Sequence, residues 1–278
     1  MNTTLSGVTV ALCVCAAEGS VWAQAAQPEY HVVLTYIKTA SGMQDAYRDH
    51  LVNVSSKFYG DRLTEQPNLM GWSAASTMFD GVDSHYDYVT ATIYSGLPPE
   101  PSVPSDAMYQ KAAGMTRVEF VKKLGTLRTV VGTELLSSVG RSIAPGTANI
   151  GDFRVVQQLK TKPGMGNELT DLLRTRLLPM IDMRRTAGEL KSWGAWTRQF
   201  PSGTSSTYDT MLVNTYKDMA SALKGLDASK TAEVFGKANP GKSYAAYVND
   251  TRDYAEVTSR TMHRVVAMVE RPAGPATR

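Results

Sequence analysis

The four histidines of this 278-residue chain are the natural starting point for chemistry, and they stand far apart, at positions 31, 50, 85 and 263. No HExxH pair places two of them on one helix face, so the sequence carries no zinc-hydrolase signature and no metal site is assigned. His50 is the one whose surroundings suggest a role. It follows Met43 by seven residues, beside a stripe of Met43, Tyr47, Leu51, Val54 and Phe58 at helical spacing. An imidazole in such a setting stays neutral near pH 7 and can take up or release a proton. His50 is therefore the candidate catalytic base, and a boundary histidine that makes only a hydrogen bond is the plainer alternative. His31 and His263 open candidate strands, and His85 lies in a turn.

Aromatic residues carry the stronger binding signal. Trp72, Trp193 and Trp196 occupy strand-like segments, and Tyr88 belongs to an alternating run from Tyr86 to Tyr94. Together with Tyr47, such rings could wall a cavity for an organic ligand, with Arg184 and Arg198 orienting its polar atoms. The same residue types also serve as ordinary core in strands and at amphipathic boundaries. No motif names a cofactor. A haem stays open because one histidine can be its axial ligand, and the lack of a CxxCH sequence argues only against covalent attachment.

The elements that must position these residues come in two copies. Phe153–Met165 (FRVVQQLKTKPGM) repeats His31–Met43 (HVVLTYIKTASGM) without a gap at an offset of 122. Downstream, WSAASTMF from Trp72 matches WGAWTRQF from Trp193, and YDYVTATIY from Tyr86 matches YDTMLVNTY from Tyr208. In the first copy the pattern predicts strands at Tyr30–Ile37, Gly71–Met78, Tyr86–Tyr94 and Leu135–Ile143. Helices are expected from Met43 and over Asp106–Leu127. The second copy predicts strands at Phe153–Lys160, Trp193–Phe200, Tyr208–Tyr216 and His263–Glu270. Its helices run from Leu169 and from the hairpin's end to Arg260, broken at Asn239-Pro240-Gly241.

Each copy thus has the order βαββαβ, with two helices on one face of a four-stranded antiparallel sheet. The other face must find a second layer, and the economical solution packs the two sheets face to face within one chain. On these three repeated blocks the chain resembles the dimeric α+β barrel superfamily, built from ferredoxin-like units, in a tandem form where one chain supplies both halves. The resemblance implies an α+β fold with units at 24–148 and 149–278. Its members include cofactor-free oxygenases, haem proteins and small-molecule lyases, so it implies no single reaction. Under the 122 offset Tyr47 faces Leu169 and His50 faces Leu172, which points to the first unit as the half that holds a ligand.

Met1–Ala23 reads as a secretory signal with cleavage after Val21-Trp22-Ala23, which implies export to a bacterial periplasm or the extracellular space. Both cysteines, Cys13 and Cys15, would leave with it, so the mature chain would have neither disulfide nor thiol nucleophile. The net charge of +3 is spread along the chain and gives no basic cluster for nucleic acid. No later segment has the length and apolarity of a membrane anchor. The partner this pattern predicts is a small organic ligand, bound by an exported protein that is a monomer or a homodimer. An enzyme, a cofactor-independent oxygenase or lyase or a haem-dependent one acting on a hydrophobic substrate, is the alternative.

Overall fold

The computed structural model describes residues 29–79, 85–100, 104–143, 148–203, 205–225 and 227–271. The expected signal segment, with Cys13, Cys15 and the cleavage site at Ala23, lies outside the described residues. The first half runs β1 (Tyr30–Thr39), α1 (Gln44–His50), a π-helical turn (Leu51–Ser55), α2 (Ser56–Glu65), β2 (Leu69–Met78), β3 (Tyr88–Ser95), α3 (Asp106–Ala113), α4 (Arg117–Leu127) and β4 (Arg128–Ile143). The second half runs β5 (Phe153–Thr161), α5 (Gly166–Leu172), a π-helical turn (Leu173–Leu177), α6 (Leu178–Thr186), β6 (Ser192–Phe200) and β7 (Thr210–Tyr216). It closes with α7 (Met219–Lys224), α8 (Ala228–Ala238), α9 (Tyr244–Tyr254) and β8 (Ala255–Glu270). No helix among the described residues is long and apolar enough to cross a membrane.

The strands form one closed antiparallel barrel in the order β1-β3-β2-β8-β5-β7-β6-β4. Within it, β4-β1-β3-β2 and β8-β5-β7-β6 are the same four-strand path taken twice, so the α+β class and the ferredoxin-like order follow the sequence pattern. The two sheets face each other across a lumen, and they are also joined along both edges, by the β2–β8 and β4–β6 ladders. Closure leaves neither sheet with an unpaired edge.

The repeated Lys-Thr and Tyr-Asp pairs meet in space. Asp87 accepts hydrogen bonds from Lys38 Nζ (2.8 Å) and the Thr39 backbone N–H (2.8 Å), and Asp209 does the same for Lys160 (3.3 Å) and Thr161 (3.1 Å). Burial opposes ionisation of Asp87, but the bonds from Lys38 and Thr39 outweigh it and hold the carboxyl below its usual range. Each clip ties the end of a unit's first strand to the start of its third. The duplicated motif is a structural device rather than a catalytic one.

Two boundaries differ from the sequence pattern. β4 begins at Arg128 rather than Leu135, and β8 begins at Ala255 rather than His263, replacing helix expected as far as Arg260. Both early segments complete ladders with β1 and β5, through Thr39↔Arg128 and Thr161↔Ala255. They carry β-branched residues, Thr129, Val130 and Val131 in one and Val257 and Thr258 in the other, which suit a pleated surface. The single helical region of residues 106–127 is two helices. Gly114 turns the chain at φ 68°, and a capping box of Thr116 and Glu119 restarts it.

Candidate functional site

The helix-facing side of the two sheets differs sharply between the halves. In the second half it is filled by Leu169, Leu173, Leu177, Met180 and Ile181 against Trp193 and Tyr216. In the first half the corresponding layer, around Tyr47, Leu51, Trp72 and Tyr88, encloses a cavity of about 370 Å³. That volume lies within the roughly 300–1,000 Å³ common for small-molecule sites. β1 contributes Thr35 and Ile37, the helices from Tyr47 to Arg62 form one wall, and Trp72 of β2 and Arg128 of β4 close the sheet side.

The cavity's chemistry is aromatic and cationic. Tyr59 stacks on Trp72 with ring centroids 4.7 Å apart and 7° between planes, and the Arg62 guanidinium lies 5.3 Å from the Tyr59 ring. Tyr47 meets Tyr88 edge to face at 5.3 Å. Burial, with the neighbouring Tyr59 and Tyr88 hydroxyls, pushes the Tyr47 phenol far above its ordinary range despite the opposing Arg128 charge. Arg62 donates from Nη2 to Gln66 (2.9 Å), yet its Nε and that of Arg128 are buried without a partner. No carboxylate lines the cavity. Both guanidinium groups lie on the cavity lining and are partly engaged, Arg128 by the Tyr47 hydroxyl and Arg62 by Tyr94 and Gln66, and their positive charge favours an anionic or electron-rich oxygen there.

His50 sits behind this wall rather than in it. It is 7% exposed, its ring lies 6.3 Å from Tyr47 and 5.3 Å from Phe120, and its Nε2 is buried without a partner. Burial, reinforced by the Lys123 and Arg128 charges, lowers it from 6.5 to about 4, so the imidazole is neutral at pH 7.

The eight site residues expected from sequence occupy three places. Tyr47, His50, Trp72 and Tyr88 share the first helix–sheet layer, and Tyr47 and Trp72 line its cavity. Arg184 is in the second half, buried and paired with Glu189 (3.1 Å), so its charge is already satisfied. Trp193, 1% exposed, packs in the core of that half and reaches the lumen wall. Trp196 and Arg198 point into the lumen. There Arg198 donates to Glu134 (2.8 Å), which also accepts from Tyr36 (2.7 Å) and Tyr208. The strand pleat separates these sets, because successive residues face opposite sides of the sheet. A single aromatic pocket made by both hairpins is thus replaced by two separate cavities.

Tyr59, Arg62 and Arg128 escaped the sequence reading, although the repeat carried a signal for two of them. Tyr59 stands opposite Ile181, and Arg62 opposite Arg184, whose partner Glu189 corresponds to Pro67. Arg128 is opposite Ala255 only once the strand register is known. The π-helical turns at Leu51–Ser55 and Leu173–Leu177 occur in both halves, including the filled one, so they belong to the fold rather than to a ligand.

The two cavities described above bear on the haem alternative. Among the described residues no histidine lines the larger cavity, and the lumen that contains His263 has room for about 140 Å³, the scale of a single ring.

No known family's sequence profile matches the chain, and no curated protein matches it in sequence. Solved structures do. A candidate monooxygenase from Fusobacterium nucleatum superposes with a TM-score of 0.56 at 12% identity, covering 88% of this chain and 95% of that one. A candidate monooxygenase from Lactobacillus acidophilus gives a TM-score of 0.51 at 8% identity, covering 88% and 97%. At these identities the likeness is one of fold, the ferredoxin-like α+β architecture.

Proposed function

We propose that the protein binds a small aromatic anion in the first-half cavity, with its flat body against Tyr59 and Trp72 and its acidic oxygen on Arg62 and Arg128. The observation that carries this reading is the pair of arginines, Arg62 and Arg128, on the lining of a cavity with no carboxylate among its described lining residues. The second half supplies the contrast. There the equivalent space is packed with aliphatic side chains and its arginine is neutralised by Glu189. Export, inferred from Met1–Ala23, would put this activity outside the cytoplasm.

A catalytic version of the same site, a cofactor-independent oxygenase or lyase, is favoured by His50. Its neutral imidazole and free Nε2 stand behind Tyr47, whose phenol lines the cavity, so Tyr47 separates a buried base from the ligand.

The test is titration of 1-naphthoate and of its neutral analogue 1-naphthalenemethanol by calorimetry. Two fused rings suit the larger cavity and exceed the lumen. Naphthoate should bind more tightly than the alcohol, and Arg62→Met with Arg128→Met should remove most of that difference, roughly tenfold to a hundredfold. Equal binding of acid and alcohol, or an unchanged naphthoate affinity in a double variant that unfolds cooperatively, would refute the anion site.

A further inference from the structure

The barrel lumen holds a second cavity, of about 140 Å³, separated from the first by the sheet itself. Its walls are Val32, Leu34, Val89 and other aliphatic side chains, and Arg154 of β5 projects into it. Arg154 lies deep among protein atoms and keeps part of its surface open to the cavity. Its one hydrogen bond goes from Nη1 to the neutral Ser73 hydroxyl (2.9 Å), and among the described residues it enters no ion pair. Glu270, the carboxylate on the same lining, is exposed as a residue but attracts Arg154 and Arg141 at longer range without entering an ion pair with either among the described residues.

The duplication shows that this cation is not part of the barrel's common design. The ladders place Arg154 beside His263 in the second half, where the first half has Val32 beside Leu136. Two apolar positions of one half are thus polar in the other, and both polar side chains line the cavity. The lumen's other charged group behaves differently. Arg198 is ion-paired with Glu134 through Nη1, and Glu134 is further bonded by Tyr36 and Tyr208, so the charge of Arg198 is balanced although its Nε and Nη2 stay unpartnered. Arg154 is the arginine on this cavity's described lining, one of its nitrogens spent on Ser73, and a guanidinium fork matches a carboxylate in shape and charge.

We infer that the lumen is a second ligand site, which takes a one-ring monocarboxylate with its carboxylate on Arg154 and its ring among the aliphatic wall residues. The size argument is direct, since an apolar cavity of roughly 150 Å³ accommodates one benzene ring. The site is distinct from the first-half cavity and stands or falls independently of it.

Benzoate, toluene and benzamidine are the probes, titrated into the full mature chain by calorimetry and by fluorescence of Trp193 and Trp196. Benzoate should bind more tightly than toluene, and benzamidine more weakly than either. Arg154→Met should lower benzoate affinity roughly tenfold to a hundredfold while sparing toluene. Ala91→Phe keeps the guanidinium but fills the lumen, and it should abolish binding of both benzoate and toluene. It serves as the decisive variant if Arg154→Met fails to fold. Benzoate, itself a small aromatic anion, can also enter the first-half cavity, so these titrations are made in the Arg62→Met, Arg128→Met background, where the benzoate binding that remains reports the lumen; no benzoate binding in that background overturns the assignment. Benzoate binding that survives Ala91→Phe, or no binding of any one-ring probe, overturns it as well.

Discussion

Replacing His50 with leucine, the residue that stands at the equivalent position 172, should remove an acid-sensitive weakness of the fold. The buried imidazole titrates at about 4, against 6.5 for an unburied one. Because the folded value is depressed, the unfolded chain takes up the proton first as pH falls. The stability associated with the neutral imidazole is complete above about pH 6.5 and is lost progressively down to about pH 4. At pH 5 the unfolded imidazole is almost fully protonated and the folded one almost fully neutral, so the loss is about 1.5 pH units of proton linkage, or about 2 kcal/mol. Leucine cannot titrate, and it also removes the unpartnered buried Nε2. Urea unfolding of both proteins at pH 7.5 and pH 5 measures the effect. The gap between variant and wild type should widen by about 2 kcal/mol at the lower pH, with carboxylate titrations cancelling in the comparison. An identical pH dependence in the two proteins would show that His50 is solvated in solution, and the reading of its burial would fail.

Two further outcomes follow from other parts of the chain. Glu134→Leu should destabilise the barrel by about 3–5 kcal/mol, since it leaves Arg198, 7% exposed and already carrying two unpartnered nitrogens, as an uncompensated charge in the lumen; a change under about 1 kcal/mol in urea would mean that water reaches this cluster. Intact mass of the exported protein should show loss of residues 1–23 and no titratable thiol, and a full-length cytoplasmic species as the sole form would remove the proposal of export.

The fold was legible because the duplication made each unit a check on the other. The Lys-Thr and Tyr-Asp pairs, visible as repeats, are the two sides of the Asp87 and Asp209 clips, so the motif that signalled the architecture is also one that holds it. Strand ends were harder to read. Arg128–Glu134 and Ala255–Met262 have neither clean alternation nor turn residues ahead of them, and only their partners β1 and β5 make them strands. Tertiary pairing overrides weak local preference in such segments. Closure of the barrel depends on the β2–β8 and β4–β6 ladders, which join residues nearly two hundred positions apart in one case, and no local pattern reports them.

The candidate site was legible in part, and the reason lies in what an internal repeat compares. Position-by-position divergence marked Tyr47 and His50 against leucines, and both lie in the layer that holds the larger cavity. It was blind where the two copies agree. Arg62 and Arg184 are the same residue at the same place, yet one is neutralised by Glu189 and the other keeps a buried, unpartnered nitrogen. The difference resides in a partner five residues downstream rather than in the arginine. Arg154 adds the converse lesson. Its counterpart Val32 signals divergence, but whether an arginine on a strand faces helices, solvent or lumen depends on the pleat and the register, and here β5 turns it inward, toward Ser73 on β2, one strand beyond β8. Unbalanced positive charge inside a protein is costly to keep empty-handed. Two arginine environments that the duplication failed to balance, one on each side of the same barrel wall, are therefore where the proposed acidic ligands would sit.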